Sequence, residues 1–374
     1  MKKYYLDLEQ IDSIPNPYYS SSEDIMRITG LNTGNFAFRK ALRELVADIE
    51  DYTVVNWPMM REVLKADKKV DHVILSCANW LGFREQDEAS NGVRASIIEK
   101  IDAPVTAYGL GAQASHVDPD LKLGPNGAKL ARVISERSKY ISVRDSFTKS
   151  LLEKEGITNA LVTGCPSNFI NHSDNFGDLL RDRVNRSKES IRRFHSLKTC
   201  IGEFSGGHAH SGSALTSFLT ILRELPSHYI IQSPTLYPFF LGESDDIPGA
   251  YKSNMPEGMT QPQLRHLLKQ KMIGFTSVDS WMDIARTCDL SLGMRIHGNM
   301  LPLQAGVPSM LIAHDSRTQG LADVMKFPVY TMDRLVGYKG TVQDLMLDML
   351  IEFEFQLDAY LDKREELRNL FEIL

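Results

Sequence analysis

An α/β protein is the fold class this sequence predicts, and three observations predict it. Short apolar runs alternate with stretches whose apolar residues fall at helical spacing. The alternation breaks once, between residues 171 and 197, where the chain turns polar and charged, and then resumes. It closes on a long amphipathic stretch from Val342 to Leu370. Two Rossmann-like domains facing a cleft, a linker between them and a long C-terminal helix amount to a GT-B-like architecture. The expected boundaries are 1–175 for an N-terminal Rossmann-like domain and 176–197 for a linker or basic helix. A C-terminal Rossmann-like domain would follow over 198–335, and the terminal amphipathic helix over 336–374.

Taken in order, residues 1–29 read as an irregular or strand-bearing leader, and Asn32 to Phe38 as a Gly-containing loop. Phe38, Leu42, Leu45, Val46 and Ile49 then keep helical spacing. Tyr52 to Asn56 and Val70 to Cys77 predict short strands, Val93 to Ile101 a helix and Val105 to Leu110 a strand. Gly127 to Ser138 predicts a helix, Tyr140 to Val143 a strand, Ser146 to Glu155 a helix and Ala160 to Thr163 a strand. Apolar strands between helices are the pattern of a parallel sheet. Past the break, Thr199 to Glu203, His228 to Gln232, Met272 to Phe275, Leu290 to Met294 and Ser309 to His314 read as strands. Helices over 213–225, 261–270, 280–287, 298–305 and 321–325 separate or follow them, with Thr235 to Met259 as a loop or insertion. Ile351-Glu-Phe-Glu-Phe355 alternates like a strand, but the flanking period is helical and the helix is read through it.

Composition narrows the function. A chain of 374 residues, 43% hydrophobic, can fill two cores. Its net charge of −6 argues against a nucleic-acid surface, and an anionic substrate would have to be drawn in by local cations. The four cysteines (Cys77, Cys165, Cys200, Cys288) lie far apart in apolar surroundings and read as buried free thiols, which fits a reducing cytoplasm. Residues 1–25 lack the apolar stretch of a signal peptide, and no run of 18 apolar residues predicts a membrane span.

The most informative stretch is Gly293-Met-Arg-Ile-His-Gly298, reached by a run from Ile284 to Leu292 that is rich in apolar residues. If the run is a strand, alternation puts Arg295 and His297 on one side. A fixed cation beside a titratable imidazole, at the carboxyl end of an α/β strand, suits an anionic small molecule that needs a proton. Arg144 follows another strand and reads either as an anion contact or as one of an Arg144–Asp145 capping pair. Asn32-Thr-Gly-Asn35 precedes a helix, and Asn32, Gly34 and Asn35 either hold an anion or sugar hydroxyls or form a tight turn. Ser205, Gly206 and Gly207 read as a phosphate-facing loop. Glu203 beside them is either a base or a structural carboxylate. His208 and His210 raise a metal question, but no third ligand has matching spacing, so no metal site is expected. Ser277-Val-Asp279 reads as a helix cap. Arg317 and Gln319 follow the strand ending at His314, and Arg317 would complete the anion pocket. Asn79 and Trp80 follow the strand ending at Cys77, with Trp80 placed to stack on a sugar ring.

These residues also carry a family resemblance. Arg295-Ile-His-Gly298, Gly306-Val-Pro308 and Asp315-Ser-Arg317 resemble the polysaccharide pyruvyltransferase family. Asn32 to Phe38, Gly109-Leu-Gly-Ala-Gln113 and Ile141 to Pro166 are similar to that family's opening loop, mid-domain strand end and "S-V-R-D … G-x-P" stretch. Many members carry Gly-Gly-Gly where this chain has Ser76-Cys-Ala-Asn-Trp80. The resemblance implies an enzyme that moves the enolpyruvyl unit of phosphoenolpyruvate onto saccharide hydroxyls to form a pyruvate ketal, in surface-polysaccharide biosynthesis. It implies that Arg295 grips carboxylate or phosphate and that His297 is the general acid. Phosphoenolpyruvate would be a substrate, with no cofactor and no metal. The acceptor would be a saccharide or a lipid- or nucleotide-linked sugar, with at most peripheral membrane contact and no nucleic acid. A homo-oligomer stays open. The alternatives are a GT-B nucleotide-sugar glycosyltransferase and a non-catalytic glycan-binding protein on the same fold. A NAD dehydrogenase is disfavoured because no G-x-G-x-x-G follows the first strand.

Overall fold

The computed structural model describes residues 2–7, 12–46, 48–66, 69–113, 120–194, 196–207, 210–314 and 316–374. In the first half the strands are β1 (Lys3–Leu6), β2 (Tyr52–Val55), β3 (His72–Ser76), β4 (Leu81–Gly82), β5 (Val105–Leu110), β6 (Ala112–Gln113), β7 (Ile141–Val143) and β8 (Ala160–Val162). Six of them form one parallel sheet in the order β2-β1-β3-β5-β7-β8, while β4 and β6 pair with each other. The second half contributes β9 (Thr199–Gly202), β10 (Ser227–Ile231), β11 (Met272–Gly274), β12 (Leu290–Gly293), β13 (Ser309–Ala313) and β14 (Val329–Thr331). They form a second parallel sheet in the order β11-β10-β9-β12-β13-β14. Helices on both faces of a parallel sheet demand apolar strands, and every residue of β9 and of β12 is buried.

Both sheets reverse their winding once, the first between β1 and β3, the second between β9 and β12. Strands in a parallel sheet all end on the same edge, so the loops at these reversals diverge and leave a crevice beyond the carboxyl ends. The expected leader is part of this frame. Tyr5 on β1 pairs with Val54 on one side and Ile74 on the other. Four residues are too short to show a period, which is why the strand is hard to see in the sequence.

The chain does not keep its halves apart. The backbone N–H of Ile14 donates to Thr276 at 2.8 Å, and that of Val278 donates to Asp12 at 3.0 Å. The helices Ser22–Thr29 and Asn35–Leu45 bury Ile25, Met26, Phe36, Ala37 and Phe38 in the apolar core of the second sheet. The polar break contains the helix Phe176–Phe194, whose Leu180, Val184 and Ile191 enter that core too. The last helix runs unbroken over Val342–Phe371, opened by a capping box between Thr341 and Asp344. Its end returns to the first half: Phe371 stacks on Tyr108 at 6.2 Å, and the Tyr360 hydroxyl donates to Asn168 at 2.7 Å. Phe353 is buried and Phe355 is 85% exposed, so the strand-like alternation here is one turn of helix with two aromatics on opposite faces. Among the described residues no helix is long and apolar enough to cross a membrane.

Candidate active site

The carboxyl ends of both sheets meet at a cavity of about 110 Å³. The first half contributes Ala78 and Asn79 beyond β3, Arg144 beyond β7, and Asn32, Asn35 and Phe38 from the opening loop and its helix. The second half contributes Ser205 beyond β9, Gln232 beyond β10, Met294 to His297 beyond β12 and His314 beyond β13. Two guanidinium groups and two imidazoles face this space, and no carboxylate is among its described lining residues. Such a lining favours an anion.

Arg295 and His297 do line the cavity together, but not by strand alternation. β12 stops at Gly293; Arg295 is the extended N-cap of the helix Ile296–Gln304, and His297 lies in its first turn. The pair therefore flanks a helix N-terminus, whose unpaired N–H groups add to the positive potential. Asn299 locks the turn, its Nδ2 donating to the carbonyls of Gly293 and Arg295, both at 2.9 Å. The His297 ring is 9% exposed, packs on Phe38 at 6.0 Å and places Nε2 3.5 Å from the Cys165 thiol. Cys165 comes from the Val162-Thr-Gly-Cys-Pro166 stretch of the first half, so the histidine is held between the halves.

Glu203 proves to be a positioning group. Only 1% exposed, it accepts from the backbone N–H of Gln232 and Ser233 at 2.8 and 2.7 Å and from the Ser233 hydroxyl at 2.7 Å. Its Oε2 lies 3.7 Å from Arg295 Nε. Burial pushes the Glu203 carboxyl above its ordinary value, while the Arg295 charge and these donors pull it back down. A carboxylate this buried, accepting three hydrogen bonds beside an arginine, is poorly placed to take a proton from a sugar.

In the first half Asp145 takes the capping role and Arg144 lines the cavity. Asp145 caps the next helix by accepting from Thr148 N–H at 2.7 Å, while the Arg144 side chain turns into the cavity and donates to Asn79 Oδ1. Asn32 closes a tight turn onto Gly34 N–H at 2.9 Å, and Asn35 Nδ2 donates to the Thr29 carbonyl at 2.9 Å. Turn and cavity lining coexist there. Ser205 lines the cavity, whereas Gly206 and Gly207 are not among its described lining residues, and Gly207 has φ at +86°.

Two of the expected contacts are placed elsewhere, and the expected cap at Ser277 is found. The Trp80 ring packs on Trp57 at 5.4 Å and under the Arg94 guanidinium at 4.9 Å, not on the cavity. Gln319 is exposed and donates to Asp323 at 2.7 Å along its own helix, because helical spacing carries it to the outer face. Ser277 is the N-cap of Val278–Ala285, and Asp279 pairs with Lys40 at 2.9 Å across the halves. Arg317 belongs to the helix Ser316–Met325, but its side chain lies outside the described residues, as does His208. His210 has a left-handed backbone at the N-cap of Ser211–Glu224. Among the described residues no group of three His, Cys, Asp or Glu is placed to hold a metal ion.

Gln232, His314, Cys165 and Asn299 were not foreseen. Gln232 and His314 are single polar residues at or just past a strand end, with no motif around them, whereas Cys165 and Asn299 lie within or directly beside the quoted motifs. The one available signal was position: in parallel sheets the first residues after each strand face the crevice. Gln232 directly follows an apolar strand and His314 closes one.

Residues 2–316 match the family model described as Polysaccharide pyruvyl transferase. Compared with curated proteins, the sequence finds no match. Among solved structures, the chain is similar to Anabaena HepE in complex with UDP and glucose, at 8% identity, all of both chains covered and a TM-score of 0.47. It is also similar to UDP-GlcNAc 2-epimerase from Methanocaldococcus jannaschii, at 12% identity, 90% and 91% covered and a TM-score of 0.43. At such identities and scores no site and no chemistry carries across from either.

Proposed function

The chain belongs to the polysaccharide pyruvyl transferase family, and from that premise we propose that it transfers the enolpyruvyl unit of phosphoenolpyruvate to saccharide hydroxyls as a pyruvate ketal. One observation carries the donor: a small cavity faced by guanidinium groups from both sheets, with a histidine between them and no carboxylate among its described lining residues.

In this reading Arg295, Arg144 and the N-terminus of Ile296–Gln304 hold the carboxylate and phosphate of the donor. His297 gives a proton to the methylene carbon, which becomes the methyl group, and positive charge develops at the neighbouring carbon. A sugar hydroxyl attacks that carbon and loses its proton. The carbon–oxygen bond to phosphate breaks, phosphate leaves with the bonding pair, and a second hydroxyl closes the ketal. No step calls for a metal, and the reaction is proposed to run in the cytoplasm, where phosphoenolpyruvate is made.

The experiment is phosphate release from phosphoenolpyruvate with a panel of hexoses, N-acetylhexosamines and their nucleotide- or lipid-linked forms, each product weighed for a ketal. Release with one acceptor class, lost in Arg295→Ala, is the expected result. No release with any acceptor and no thermal shift with phosphoenolpyruvate would overturn the reading.

A further inference from the structure

Gln232 is 0% exposed, yet neither end of its side-chain amide has a hydrogen-bond partner among the described residues. Buried amides are almost always paired, so an unpaired one at a cavity wall marks a group meant for something that binds there. The surroundings are built around it. Its own N–H donates to Glu203 at 2.8 Å, and its carbonyl accepts from Thr33 N–H at 3.0 Å, which fixes the backbone from both halves. Two glycines make room for the side chain. A Cβ on Gly34 would stand 2.7 Å from Oε1, and one on Gly298 would stand 2.5 Å from Nε2. The amide is thus slotted between the opening loop and the Arg295–His297 helix, facing the same cavity as both.

Charge explains why the group is an amide. Glu203 already offsets the Arg295 charge at 3.7 Å. A further carboxylate would repel an anion, and a further cation would need its own counter-charge. A neutral amide donates a hydrogen bond without either cost.

We propose that Gln232 is a donor-recognition residue whose amide N–H bonds an anionic oxygen of phosphoenolpyruvate alongside Arg295. This rests on the phosphoenolpyruvate reading above. Calorimetry would titrate the full-length wild type, Gln232→Met, Gln232→Glu and Arg295→Ala with phosphoenolpyruvate, pyruvate and inorganic phosphate separately, after thermal melts of each. The expected result is about tenfold weaker phosphoenolpyruvate binding in Gln232→Met, near the size of one hydrogen bond to a charged group. In Gln232→Glu, the same shape with an added charge, binding should be lost. KM for the saccharide acceptor should move less than twofold in Gln232→Met, which a general loosening of the fold would not allow. Whichever of pyruvate and phosphate weakens in parallel identifies the oxygen as carboxylate or phosphate. Wild-type binding abolished by Arg295→Ala, with both Gln232 variants binding all three probes as wild type does, would overturn the assignment of Gln232 alone. No binding to wild type would overturn the donor reading and this inference with it.

Discussion

At the carboxyl end of the second sheet, Arg295 sits 3.7 Å from a buried carboxylate that three further donors hold in place. At the carboxyl end of the first sheet, Arg144 donates to a neutral amide, Asn79. The Nε of each arginine is buried without a hydrogen-bond partner among the described residues. The two arginines face one cavity with different balances of charge. Arg295 is oriented, and much of its charge is offset by Glu203. The charge of Arg144 is not offset by any described lining residue. The second half supplies geometry and the first supplies field, so neither can stand in for the other.

That division can be broken from either side. The largest loss is expected from Arg295→Ala, which should lower kcat/KM for phosphoenolpyruvate by roughly 10²–10³-fold, the scale of removing one preorganised group from developing charge. Steady-state phosphate release measures it. Arg144→Ala should lower the same constant by about 10- to 100-fold, as expected for a charged hydrogen bond worth about 1.5–3 kcal/mol. Its loss should grow at low ionic strength, because an uncompensated charge acts at longer range. Equal salt dependence in the two variants would contradict the division.

Gly34→Ala tests the contact between the halves. The added methyl would meet Gln232 Oε1 and the His297 Cβ at 2.7 and 3.0 Å, so urea unfolding should show a loss of about 1–3 kcal/mol. An unchanged midpoint would mean that the opening loop yields freely.

The smallest effect concerns Glu203. Its carboxyl is raised above the ordinary value by burial. A raised acid binds its proton more tightly in the folded state. Its stabilising contribution is complete below the ordinary carboxylate value and is lost as pH rises through the raised one. Glu203→Gln lacks that titration, so its stability relative to wild type should improve from acid to neutral pH. A difference that stays flat across thermal melts in that window would contradict the assigned shift.

The sequence revealed the sheets better than the site. Strands such as Leu290–Gly293 are legible because burial on both faces leaves no charged residue in them. β1 escaped because four residues show no period. The helix Glu85–Ile98 begins well before the expected Val93, because its first turns are polar and its start is an Arg84–Asp87 capping arrangement rather than an apolar repeat. Arg295 and His297 were legible from their chemistry, while the reason they meet, a helix N-terminus, was not. Trp80 looked like a sugar platform because sequence shows a ring but not the neighbouring Trp57 and Arg94 that occupy it. Gln232 carries no motif, and its meaning arises only when Gly34 and Gly298, far apart in the chain, close around it.

In the proposed reaction His297 protonates the methylene carbon of a donor held by both halves. The most direct measurement is ketal formation in deuterium oxide, with the product methyl group weighed by mass spectrometry for wild type and His297→Ala. The account predicts a single deuterium in the wild-type methyl and turnover lower by roughly 10²–10⁴-fold in the variant, the usual range for a lost general acid. A product methyl without deuterium, or undiminished turnover in His297→Ala, would contradict it.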